Sequence, residues 1–144
     1  MEGRAREAAA ALIRERAPAI LPRVIDEAIA GDASSLDPVA TKRRLTAYLE
    51  ARIPLWIAAL AATDEHRDEA IARLLRMDND AGADIPPVVI LGTIAIGYRV
   101  IEQELRLRAA DYGQTSDELW TEVDILRRTV MEMRRHLADD GRVA

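Results

Sequence analysis

Ile85-Pro86-Pro87-Val88-Val89-Ile90-Leu91-Gly92-Thr93-Ile94-Ala95-Ile96-Gly97-Tyr98-Arg99-Val100-Ile101 is the stretch on which the fold of this chain turns. Its prolines suit the first turn of a helix, where a missing N–H leaves no bond unmade. From Val88 to Tyr98 it is apolar on every face. A helix of that kind has to be covered all round. The segment is therefore expected to be the most buried helix of a bundle, or a face that a second copy covers. Continued as a helix from about Pro86 to Ala110, it turns amphipathic: Glu102, Gln103, Glu104, Arg106 and Arg108 are expected to face water, while Tyr98, Ile101 and Leu105 keep one apolar stripe.

Working outward, helical periodicity dominates and strand alternation is absent. A first helix is expected from Glu2 to Arg16, with Pro18 as a joint. A second runs from Ala19 to Ala30, with Pro22 in its first turn and Gly31 ending it. Asp37-Pro38 is an N-cap followed by proline at the first helical position. The third helix runs from there to Ile53, and Pro54 should kink or break it. Thr63 or Asp64 caps a fourth, about Glu65 to Asp80, which Gly82 closes. Gly113 stops the Pro86–Ala110 helix. Thr115-Ser116-Asp117-Glu118 is a capping box opening the last helix, about Ser116 to Ala138, with Gly141 beyond its end. The expected fold is all-α, one domain over residues 1–144, built of about six helices.

The last helix carries Leu119, Val123, Leu126, Val130, Met133 and Leu137 at alternating spacings of four and three. That is a heptad seam, flanked by Arg127-Arg128 and Arg134-Arg135. Together with the central helix it predicts a homodimer, with contacts at Val89, Thr93, Ile96 and Gly97 and along Leu119, Val123, Leu126, Val130 and Met133. The same residues would serve equally as the core of a monomeric bundle. A seam that holds its period to Leu137 also suggests a helix that passes a signal onward.

Composition narrows the partners. A chain of 144 residues with 49% hydrophobic and 31% charged residues is globular and can build a core. It has no Phe and only 3% aromatics, which favours close helix packing through Ala and Leu. With no Cys there is no disulfide framework and no thiolate zinc site. The charged N-terminus does not resemble a signal peptide, and the apolar run is far short of the roughly 20 residues that span a bilayer. A cytoplasmic protein without membrane contact is expected. A net charge of −5 argues against nucleic acid as a partner.

Catalytic and metal-binding patterns were sought among the remaining polar residues. His66 sits in an acidic first turn and His136 one turn after Glu132; both read as surface residues, and no metal or cofactor is expected. Asp78-Asn79-Asp80-Ala81-Gly82-Ala83-Asp84 fails as a calcium loop, with Ala83 where glycine is needed and Val89 where a bidentate Glu is needed. No P-loop, dinucleotide fingerprint or nucleophile elbow is present. No catalytic residue is assigned. Gly92 and Gly97 point to different faces and suggest either close backbone approach or a small-ligand niche beside Trp56 and Tyr98.

Three segments carry a family likeness. The turn Asp84-Ile85-Pro86 leads into Gly97-Tyr98-Arg99-Val100-Ile101-Glu102-Gln103-Glu104-Leu105; Arg16-Ala17-Pro18-Ala19-Ile20-Leu21 and Thr41-Lys42-Arg43-Arg44-Leu45 with Tyr48-Leu49 lie upstream. In these the chain resembles the N-terminal helical domains of RsbR-type stressosome proteins and PucR/CdaR-type regulators. It departs from them at Glu102, where an aromatic is common, and at Gly92-Thr93-Ile94, where polar residues are common. The resemblance implies a dimeric, globin-like sensor domain without haem that acts through other signalling proteins, its last helix leading into an effector. The alternative is a small-molecule-binding helical protein with Trp56 and Tyr98 in its pocket.

Overall fold

The structure, a computed structural model, describes residues 3–31, 37–81 and 84–143, with side chains as far as 138. Five α-helices follow one another: α1 (Arg4–Gly31), α2 (Pro38–Ala61), α3 (Asp64–Ala81), α4 (Pro87–Arg108) and α5 (Ser116–Val143), with a 3₁₀ turn at Ala109–Tyr112 before α5. No strand occurs among the described residues.

The expected count of six helices was too high because Pro18 does not divide α1. Pro18 and Pro22 both lie inside that helix, and Pro54 lies inside α2. A proline in a helix interior removes the bond to the carbonyl one turn back. All three prolines are exposed, and so are Arg14 and Glu50, whose carbonyls lose their donors to Pro18 and Pro54. Water can satisfy those carbonyls. The buried stripe of α1 meanwhile runs unbroken past the prolines, from Ala9, Leu12 and Ile13 to Ile20, Val24 and Ala28.

That stripe makes α1 the axis of the bundle. Its first half packs with Trp56 and Leu60 of α2, Ile71 and Leu74 of α3, and the α5 seam. Its second half packs with Leu45 and Leu49 of α2 and with Ile85, Ile90 and Val100 around α4. The central position expected for the Pro86–Ala110 helix therefore belongs to α1. On α4 a helix rotation of about 100° per residue puts Ile90, Thr93, Gly97, Val100 and Glu104 on the inner side. The opposite side carries Val88, Leu91, Gly92 and Ala95, all exposed, Val88 at 76% and Leu91 at 53%. The first half of α4 is not enclosed, because α1 covers only one side of it.

The seam of α5 closes the core of its own chain. Leu119, Val123 and Leu126 are fully buried and Val130 nearly so. Met133 is half-buried against the same cluster, and Leu137 is exposed. Helix ends follow local chemistry. The Asp37 carboxylate accepts from the Ala40 N–H at 3.1 Å. The Glu118 N–H donates to the Thr115 hydroxyl at 3.2 Å, and the Thr115 N–H donates to the Glu118 carboxylate at 3.1 Å, a reciprocal capping box. Gly113 takes φ +72°, the left-handed conformation that ends the 3₁₀ turn. The last carbonyls of α2 receive Arg67 (to Ala59 and Leu60) and Arg6 (to Ala62), cations at a helix C-terminus. Helix α5 continues through Gly141, which does not terminate it. Gly82, expected to close α3, lies outside the described residues.

Pro54→Ala should restore the bond to the Glu50 carbonyl without disturbing the core. Its expected effect is a gain of about 1–3 kcal/mol in urea unfolding with an unchanged m-value. A loss of stability would show that the ring is required by the shape of α2.

Candidate functional site

Between α1, α2 and α4 the packing leaves a cavity of about 50 Å³. Ile13, Ala17, Ile20 and Val24 line it from α1, Leu49, Arg52 and Trp56 from α2, and Thr93, Ile94, Gly97 and Tyr98 from α4. Trp56 and Tyr98 thus share one cavity. The Trp56 indole N–H donates to the Tyr98 hydroxyl at 3.1 Å, and the rings meet edge-on with centroids 6.0 Å apart. Arg127 of α5 places its guanidinium 5.9 Å from the centroid of Tyr98 and the same distance from that of Trp120, a cation–π bracket. Burial pushes the Tyr98 hydroxyl above the ordinary tyrosine range, so it stays protonated.

Gly97 is the least explained residue of this cavity. Its φ is negative, unlike that of Gly113, and a Cβ built on it meets nothing within 4 Å. The close backbone approach expected at Gly92 and Gly97 is therefore absent at both. A mid-helix glycine gives up about 0.5–1 kcal/mol relative to alanine.

Two ionic hubs stand beside the cavity. Asp78 of α3, 8% exposed, accepts from the Tyr48 hydroxyl at 2.6 Å, from Arg52 Nε at 3.0 Å and from Arg134 at 2.7 Å. One carboxylate thereby ties α2, α3 and α5 together. Burial works against the charge of Arg52, but the Asp78 carboxylate more than offsets it and holds the guanidinium above its usual pKa. Burial likewise raises Tyr48 well above the tyrosine range. The second hub is Glu104, expected to face water but 3% exposed. It accepts from Arg16 Nε at 3.0 Å and from Arg108 Nε at 3.1 Å, with Arg23 at 3.7 Å. Burial opposes its charge, yet the Arg16 and Arg108 hydrogen bonds prevail and hold it below the usual carboxylate range.

The residues expected at a dimer contact or in the core of a monomeric bundle are placed as follows. Thr93 is 1% exposed and donates to the Val89 carbonyl; Val89 and Ile96 are half-buried against the chain's own core, and Gly97 faces the cavity. Thr93, Leu119, Val123, Leu126 and Val130 are interior residues, whereas Val89, Ile96, Gly97 and Met133 are half-buried. On the first half of α4 the exposed apolar positions are their neighbours Val88, Leu91 and Ala95; elsewhere Val39, Leu107, Ile125, Met131 and Leu137 are exposed as well. His66, Glu132 and His136 are exposed. Asp78, Arg52 and Glu104 were not singled out from sequence. Their one signal is position: Glu104 falls one turn after Val100, on the buried stripe of α4.

Compared with known proteins, the chain matches no family model, no curated protein and no solved structure. No described helix is long and apolar enough to cross a membrane.

Asp78→Ala would leave Arg52 buried without a counter-ion. The expected loss is about 3–5 kcal/mol in chemical denaturation, and the change Arg52→Met in the same chain should recover part of it. Glu104 gives a pH signature. Its folded-state pKa lies below the unfolded value, so its contribution is present above the ordinary carboxylate range and is lost as pH falls through and below it. Glu104→Gln should flatten the fall in stability on acidification below about pH 4.3; an unchanged acid limb would contradict the ion-pair assignment.

Proposed function

We propose that this chain is a non-catalytic helical signalling module that works by homodimerisation and protein–protein contact, of the kind represented by RsbR N-terminal and PucR/CdaR-type domains, in a cytoplasmic setting. The observation that carries the proposal is the outward stripe of α4. Val88, Leu91 and Ala95 recur at helical spacing and stand in solvent on a helix whose other side is packed. Gly92 among them leaves room for a second backbone to come near. A two-fold pairing of α4 with its copy would cover the stripe with itself. The heptad of α5 is spent on the interior as far as Val130, so the dimer contact moves from that seam to α4. Beyond Val130, α5 stays tied to the bundle by Met133 against the core and by Arg134 to Asp78, and supplies the output helix of the module.

A second reading is favoured by the cavity at Trp56 and Tyr98: binding of a small molecule beside Gly97, whose missing side chain nothing in the packing requires.

Light scattering at roughly tens of micromolar should give twice the chain mass for the wild type. Leu91→Glu, at an exposed position, should give the single mass with unchanged circular dichroism, since surface changes of this kind alter stability by only about 0.5 kcal/mol. A monomeric wild type would overturn the homodimer.

A further inference from the structure

We infer that the cavity beside Gly97 binds a small neutral molecule with a short hydrocarbon body and one hydrogen-bond-accepting oxygen, of the ketone, aldehyde or alcohol class, with the Tyr98 hydroxyl as its recognition donor. The inference rests on the second reading above and adds the chemistry of the guest.

Apolarity of the guest follows from the walls. Ile13, Ile20, Val24, Leu49 and Ile94 present only hydrocarbon, and such cavities stay dry or take apolar guests. Neutrality follows from the charges. Arg52 is the only ionic residue among the lining residues, and Asp78, which also pairs with Arg134, holds it through two contacts at 3.0 and 3.4 Å, so a cationic guest would meet only guanidinium and an anionic one would have to displace Asp78. A charged guest would be buried without a counter-ion.

The accepting oxygen follows from a count of donors. Tyr98 accepts from Trp56, and its own O–H has no acceptor among the described residues. The Thr93 hydroxyl cannot take the donor's role, because its hydrogen goes to the Val89 carbonyl at 2.7 Å. A partly buried hydroxyl with its hydrogen uncommitted in this way is free to donate to a guest's oxygen.

Size follows from volume. An engineered cavity of about 150 Å³ holds benzene, so about 50 Å³ suits a guest of a few heavy atoms. Gly97 sets that size, because any side chain there grows into open space.

The test uses the indole N–H resonance of Trp56 in two-dimensional NMR, with the Trp120 indole as internal control. Acetone, acetate and xenon are titrated separately into the whole chain. Acetone and xenon should shift the Trp56 signal saturably, and acetate, the charged near-isostere, should not. Gly97→Leu should abolish both shifts, and Gly97→Ala, the milder change should Leu disturb folding, should weaken both. Tyr98→Phe should weaken acetone on the order of tenfold and leave xenon unchanged. Xenon binding with no acetone response, or acetone binding indifferent to Tyr98→Phe, would overturn the assigned chemistry while the small-molecule reading stood. Acetate binding as well as acetone would overturn neutrality. Shifts that survive both Gly97 variants would place the site elsewhere and overturn the inference. Absence of any Trp56 response to all three probes would overturn both the inference and the small-molecule reading.

Discussion

The continuity of α1 is the constraint on which the bundle depends. Its first half belongs to the core cluster with α3 and α5, and its second half to the cluster with α4. Were the helix to break at Pro18, these clusters would become independently placed units, each with a small core. The chain avoids this by putting Pro18 and Pro22 on the water side, where carbonyls without donors remain hydrated. The same device carries α2 past Pro54, so α1 and α2 stay packed against each other through both core clusters.

Inside that frame, charges do what rings do in other cores. With no Phe available, the junctions of several helices are filled by Asp78 with Arg52, Arg134 and Tyr48, and by Glu104 with Arg16 and Arg108. A buried ion pair adds little net stability over a packed apolar pair. What it adds here is direction: a carboxylate with three donors from two other helices is satisfied in one arrangement only. Asp78 thereby fixes the register of α5 against α2 and α3 beyond the last fully buried residue of the seam, where apolar packing alone would let the helix slide.

Much of this was legible in the chain. Caps at Asp37 and Thr115 are short-range chemistry, and both formed as their residue types dictate. The spacing of Leu119, Val123, Leu126 and Val130 marked a buried seam, but period alone does not say whether the covering helix comes from the same chain. Two features were not legible. Proline strength as a helix breaker depends on whether the freed carbonyl meets water, a tertiary property that Pro18 and Pro54 acquire only in the bundle. The enclosure of α4 depended on how many neighbours it has, and all-round apolarity cannot distinguish a helix surrounded by its own chain from one with a side left bare. Glu104 was misplaced for a related reason: a carboxylate reads as solvent-facing until the arginines of another helix are brought to it.

Helix α4 carries two features that folding does not explain, on opposite sides. Inward, Gly97 leaves a cavity where alanine would have served helix and packing better. Outward, Val88, Leu91 and Ala95 leave apolar surface in water. Both lie on one continuous helix without an internal proline, so a displacement imposed on one side is delivered to the other without bending. A guest in the cavity acts between α4 and the α1–α2 pair; a partner on the stripe acts on α4 from outside. Under the two proposals, each would bias the seating of α4 on α1, and two ligands that bias one equilibrium are coupled in both directions by thermodynamic necessity. Under the two proposals above, occupancy of the cavity and association through α4 would form one linked equilibrium, in which the affinity of the contact depends on whether the space beside Gly97 is filled.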